Sequence, residues 1–148
     1  MKLNNALFAA FAAVSLLFAT NANTVLAAEL SPEVAKVVGT PADGKAKIIF
    51  FREKKFAGAA IKCNVIKDGQ NLAILKSGMY FVLEVEPGTH KFDAQKKVKD
   101  SITLDVEEGE VVFVEGGIAV GAFKGKANLS PSSEAAFAAA LPKLKLVK

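Results

Sequence analysis

An all-β sandwich is the fold class that the sequence predicts, and two observations carry it. Turn signals punctuate the chain from residue 67 onward, as KDGQ at 67–70, KSG at 76–78, EPGT at 86–89, EEGE at 107–110 and EGG at 115–117. Between them lie short runs rich in Val, Ile and Phe, several of which alternate apolar and polar residues with the period of a half-buried strand. No run before residue 130 has both helical period and enough length for the helices of βαβ units. The expectation is a single sandwich of seven to eight short, mainly antiparallel strands over residues 45–148, with one short C-terminal helix.

The first segment stands apart from this domain. MKLNN carries one positive charge, Ala6 to Ala19 is apolar but for Ser15, and Val25 and Ala27 offer small residues to a signal peptidase. Residues 1–27 therefore read as a secretory signal cleaved near Ala27. The apolar run falls short of the roughly 20 residues that span a bilayer, so the mature chain is expected to be exported and soluble, in the periplasm or secreted, without a transmembrane segment. Loss of Lys2 takes the formal charge from +4 to +3. Residues 28–44, with Pro32, Pro41 and Gly44, form a leader that is a loop or a short helix around Pro32 to Val38.

Alternation assigns faces to the strands. In SITLDV, Ile102, Leu104 and Val106 point inward and Thr103 and Asp105 to water; in HKFDAQ, Phe92 and Ala94 oppose Lys91, Asp93 and Gln95. KAKIIFFR differs, since Ile48 and Phe50 share one face and Ile49 and Phe51 the other, as in a central strand covered on both sides. IKCNVI places Cys63 inward with Ile61 and Val65, as a small inert hydrophobe. One thiol builds neither an intramolecular disulfide nor a cysteine-based zinc site.

Two glycine-containing stretches require separate treatment. EGGIAVGAFKGKA lacks the glycine that a Walker loop places five positions before its Gly-Lys pair, where Val120 stands, and has Ala127 in the Ser/Thr place. Gly116-Gly117 then reads as a tight turn, and Gly121 and Gly125 as thin or bulged points. In SPSSEAAFAAAL, Ser130 would cap a helix with Pro131 in its first turn, and the helix would lie across a sheet edge or one end, packing Phe137 and Leu141.

Candidate chemistry is concentrated in LEVEPGTHKFDA, where Glu84 and Glu86 precede the only histidine, His90. Glu84 and Glu86 alternate with Tyr80 and Val82, opposite the apolar row Met79, Phe81, Leu83 and Val85, so both carboxylates face outward. Pro87 and Gly88 carry type II turn chemistry, with Gly88 at positive φ. His90 shares the inward face of Phe92. Pro87, Gly88 and His90 thus read as a structural turn, with metal binding through His90 and Glu86 as a remote alternative. No serine sits in a nucleophile elbow. The sequence assigns no catalytic, cofactor-binding or metal site and no cofactor. Its net positive charge comes from lysine dispersed among acids, with Arg52 the single arginine, a pattern that argues against nucleic acid. Lys54, Lys55, Lys96, Lys97 and Lys99 form a candidate ligand patch.

The order GKAKIIFFR, an alternating strand, KDGQNLAILKSGMYFVLEVEPGTHKF, an acidic-glycine turn, VVFVEGG and a last LVK resembles the bacterial family catalogued as domain of unknown function 2846. The resemblance covers Gly44 to Lys148 and rests on Lys45, Lys47 and Arg52, on Asp68-Gly69, on Gly78, Tyr80 and Phe81, and on Glu84 to His90. PEGA-type surface domains share the Pro-Gly-x-His turn. This chain lacks the family's lipoprotein cysteine and has Val112-Phe113 where tyrosines are common. The resemblance implies a small β domain in an exported or lipid-anchored envelope protein, and no activity. Two functions are therefore expected: a non-catalytic envelope module that meets an envelope protein through strand edges or loops, or a binder of a small ligand or anionic envelope polymer.

Overall fold

A computed structural model describes residues 29–96, 101–120 and 125–148. Among these lie nine strands and two α-helices: α1 Pro32–Val38, β1 Ala46–Arg52, β2 Cys63–Lys67, β3 Gln70–Leu75, β4 Met79–Val85, β5 Gly88–Asp93, β6 Ser101–Val106, β7 Val111–Val120, β8 Gly125–Pro131, α2 Glu134–Ala140 and β9 Lys145–Leu146. One sheet has the order β8-β7-β1-β4-β9 and the other β3-β2-β5-β6. They pack face to face, so the architecture is the expected β-sandwich, and the helices add a third layer behind the first sheet.

The Ile/Phe run at the start of the domain forms the centre of that sheet. β1 pairs antiparallel with β4 and parallel with β7, so it has a neighbour on each side. Ile48 and Phe50 face the second sheet and pack with Cys63, Val65, Leu75, Phe92 and Val114. Ile49 and Phe51 face the helices, among Val34, Val38, Phe113 and Phe137. All four β1 side chains are fully buried, as the doubled apolar pattern requires. The strand needs two covers, and the helices supply the second.

This second cover alters several sequence expectations. α2 begins at Glu134, with Ser133 as its N-cap accepting from Ala136 N at 3.2 Å, because Ser130 and Pro131 continue β8 in register with Glu115 and Val114. The helix lies on the sheet face instead of an edge: the Phe137 ring is 5.3 Å from Phe51, 5.4 Å from Phe113 and 5.7 Å from Tyr80, centroid to centroid. Tyr80 and Val82, expected on a wet face, pack against this cluster. α1 spans the stretch expected to be a loop or short helix, and its Val34 is wholly buried against the same face.

Gly116-Gly117 is not a turn. Both residues lie inside β7 and pair with Leu129 and Asn128. Their smallness serves packing, because a Cβ on Gly116 would stand 3.0 Å from Cys63 Sγ and one on Gly117 would stand 2.9 Å from Asn128 Oδ1. Gly125 opens β8, where a Cβ would press on Ile118 and Ile61. The expected thin point at Gly121 lies outside the described residues.

The remaining turn signals hold. Asp68 and Gly69, at φ 51 and 78, join β2 to β3 in a two-residue hairpin. KSG, EPGT and EEGE are not hairpins: each carries the chain from one sheet to the other.

Candidate functional site

Glu84, Glu86 and His90 sit at one of these sheet-to-sheet corners. β4 ends at Val85 in the first sheet and β5 begins at Gly88 in the second, pairing with Val106. Gly88 has φ 129, a conformation open to glycine and rarely to other residues, so the Pro-Gly pair does structural work at the corner. This value lies well above the roughly 80° of a type II turn, and Gly88 is already a ladder residue.

Glu84 and Glu86 are exposed, and His90 lies on the Phe92 face of β5 with its ring centroid 6.4 Å from that of Phe92, yet the corner brings all three together. They line one groove of about 440 Å³ together with Lys45, Lys67, Leu72 and Leu83. The bend at Glu86-Pro87 joins the ends of β4 and β5, and the His90 ring folds back so that Nε2 donates to the Glu86 carbonyl at 2.7 Å. Nδ1 accepts from the Lys67 ammonium at 3.1 Å. These partners define a neutral imidazole protonated on Nε2. Burial and the neighbouring Lys67 charge both lower the His90 pKa from its ordinary value, and Asp68 opposes them.

Each acid in the groove already has a partner. Glu86 pairs with Lys45, and Glu84 Oε2 accepts from Ala42 N at 3.3 Å. Among the described residues no group of three or more His, Cys, Asp and Glu side chains could hold a metal ion. With Nδ1 facing a lysine and Nε2 engaged by a carbonyl, neither imidazole nitrogen points a lone pair into free space. The corner ties the two sheets together and keeps its polar groups for itself.

The opposite end of the sandwich holds what alternation could not find. Arg52, at the end of β1, is 5% exposed, and its guanidinium donates to the carbonyls of Ile61 at 2.5 Å, Gly58 at 2.7 Å and Leu75 at 3.3 Å. It pins the loop 53–62 to the end of β3. Beside it lies a cavity of about 460 Å³ whose lining includes Glu53, Lys55, Glu115, Gly117, Asn128 and Ser130. The signal in the sequence was a lone arginine closing an apolar strand, a place where a charge survives only with partners.

The candidate lysine patch is gathered in part. Lys54 and Lys55 are exposed on the loop after β1, and Lys55 pairs with Glu53 at 2.7 Å. Lys96 is exposed next to Gln95, whose side chain reaches the Ala127 carbonyl of β8 at 3.5 Å, on a different flank. Lys97 and Lys99 lie outside the described residues. Cys63 is fully buried as expected, and burial pushes its thiol up to about 11, with Arg52 acting in the other direction.

The two packed sheets and the internally satisfied corner define a helix-backed β-sandwich without catalytic or metal-holding architecture among the described residues. A family model described as a protein of unknown function (DUF2846) matches residues 42–127, and the chain belongs to that bacterial family. The match spans α1's trailing loop to the middle of β8, and so contains both β1 and the EPGTH corner. Comparison with curated proteins and with solved structures gives no match. No helix among the described residues is long and apolar enough to cross a membrane.

Proposed function

We propose that this protein is an exported, non-catalytic β-sandwich that acts as an interaction or structural module of the bacterial envelope, with residues 1–27 removed as a signal peptide. The observation that carries the reading is the filling of the space between the sheets. Phe50, Phe92, Ile48, Leu75, Val65 and Val114 meet there at 0% exposure, and both cavities described above open at the ends of the sandwich. A binder of an apolar ligand needs a chamber between the sheets, whereas a module needs a firm core and exposed ends. The corner formed by Pro87, Gly88 and His90 supports the same reading, because its polar groups are consumed by structural partners.

Native and intact mass measurement of the protein purified from its host tests this. The expected chain begins at or close to Ala28, carries no stoichiometric small molecule, and fractionates with the envelope. A chain retaining Met1 in the membrane fraction contradicts the export reading. A chain holding one copy of a small ligand contradicts the module reading.

A further inference from the structure

We propose that the Arg52 end of the sandwich is a docking surface for an anionic phospholipid bilayer, with Phe56 inserting at the interface and the surrounding lysines meeting the headgroups. This deepens the envelope-module reading by naming the surface that the module meets.

The first observation is the loop 53–62. Its tip, KKFAGAA from Lys54 to Ala60, contains no acid, and the Phe56 side chain is wholly exposed at 101%. Single exposed apolar residues are ordinary on protein surfaces, so Phe56 alone would carry nothing. It is not alone, however. Leu146 is 53% exposed, and these two are the most exposed large apolar side chains among the described residues. Leu146 stands opposite Tyr80, one residue beyond the Lys145–Met79 pair, so both belong to the same end of the first sheet.

The second observation is charge. Three separate segments, the loop 53–62, the turn 76–78 and residues 143–145, bring lysines to this end. Lys55 N donates to Ser77 Oγ at 2.9 Å, Lys145 N donates to the Gly78 carbonyl at 2.9 Å, and the Lys54 side chain and the Lys143 carbonyl both abut Gly78. Lys54, Lys55, Lys62, Lys76, Lys143 and Lys145 are all exposed. Against them stand Glu53, paired with Lys55, and the half-buried Glu115.

The far end has the opposite sign. Glu84, Glu86, Glu107, Glu108 and Glu110 cluster near Lys45: Glu86 pairs with it, Gly109 N donates to its carbonyl, and Glu108 accepts from the adjacent Gly44 N. The seven residues of β1 separate the two ends by about 20 Å. That is more than twice the roughly 8 Å screening length at physiological salt, so the acidic end does not cancel the basic one. A dipolar molecule of this kind turns its lysine end to an anionic surface and keeps its glutamates away from it.

The shape selects the occupant. A fully exposed aromatic on a projecting loop, flanked by lysines, suits a deformable interface with an apolar interior beneath a charged layer. A soluble anionic polymer would use the lysines and leave Phe56 idle. The pinning of the loop by Arg52 matters here, because a held tip inserts without first paying to become ordered.

The test is co-sedimentation of the exported chain with vesicles of phosphatidylcholine containing 30 mol% phosphatidylglycerol, beside vesicles of phosphatidylcholine alone. Binding to the anionic vesicles that falls as salt rises is expected, with little binding to the neutral ones. Phe56→Ser should weaken it about ten-fold, and the pair Lys54→Gln, Lys55→Gln by about twenty-five-fold, at about five-fold per lysine. Leu72→Ser, near the acidic end, should change nothing, and unaltered thermal melts confirm that each variant is folded. Absence of anionic-vesicle binding at low salt would overturn the proposal. So would binding that Phe56→Ser leaves intact while soluble teichoic acid or polyphosphate displaces it, because that result assigns the lysines to a polymer. Either failure leaves the mass and fractionation results above standing.

Discussion

The two ends of the sandwich invert the order of interest that the sequence suggests. At the EPGTH corner the sequence concentrates two carboxylates and the only histidine, and the fold spends them: Glu86 on Lys45, Glu84 on Ala42 N, His90 on Lys67 and its own corner. At the Arg52 end the sequence shows one arginine and a loop marked only by Lys54 and Lys55 of the candidate ligand patch. There the fold buries the arginine to hold the loop and leaves Phe56 and several lysines facing outward. Chemically expressive residues that satisfy one another make structure. Plain residues that the fold turns outward make surface.

The largest expected effect is at the Arg52 end. Arg52→Met leaves the carbonyls of Gly58, Ile61 and Leu75 without their donor, and should lower stability by about 3 kcal/mol in denaturant melts. Faster proteolysis within 53–62 should accompany it. A loss under about 1 kcal/mol would show that water replaces the guanidinium and that the loop is not pinned.

Cys63 lies against the same end, and its thiol gives a pH signature. In the unfolded chain it ionises near its ordinary value of about 9, and in the fold only near 11. The folded pKa is raised, so the stability linked to it is complete below pH 9 and is lost as pH rises toward 11. The loss should reach roughly 1.5 kcal/mol at pH 10 and should disappear from the profile of Cys63→Ala, which is less stable at neutral pH. A thiol reagent should label native Cys63 slowly and the denatured chain fast. Rapid native labelling would contradict the burial.

At the corner the effects are smaller. Gly88→Ala should cost about 1 kcal/mol, through backbone strain at φ 129 and not through a clash, since a Cβ there meets nothing within 4 Å. A neutral result would mean that the corner relaxes without penalty.

The smallest effect belongs to His90. Its folded pKa lies below the ordinary 6.5 because burial and Lys67 disfavour the imidazolium. The linked stability is present above pH 6.5 and is lost as pH falls through the folded value. His90→Gln should flatten that acid-side decline and cost less than about 1 kcal/mol at pH 7. An unchanged pH profile in the variant would detach His90 from the Lys67 contact.

Much of the fold was legible because alternation is a local signal. Ile102, Leu104 and Val106 are buried and Ser101, Thr103 and Asp105 exposed, as SITLDV predicts, and the doubled apolar pattern of IIFF placed β1 at the centre. What was not legible depends on partners distant in sequence. Tyr80 and Val82 read as wet because nothing near them announces that α2 will cover them. Gly116 and Gly117 read as a turn because the contacts that demand small residues, Cys63 far back in the chain and Asn128 on the next strand, form only when the sheets assemble. The parallel pairing of β1 with β7 has the same cause. The corner's turn chemistry was visible in Pro87 and Gly88, but the fold-back of His90 onto Glu86 was not, since periodicity stops where a strand bends.

One measurement sets the two ends against each other: residue-resolved NMR of the chain without residues 1–27, titrated in parallel with zinc and with small vesicles containing phosphatidylglycerol. The account requires that zinc leave Glu84, Glu86 and His90 unshifted, and that the vesicles broaden Lys54–Lys62, Lys76–Gly78 and Lys143–Leu146 first. Saturable zinc shifts at His90 with its two neighbouring glutamates, together with vesicles that perturb neither end, would contradict it and return the function to the EPGTH corner.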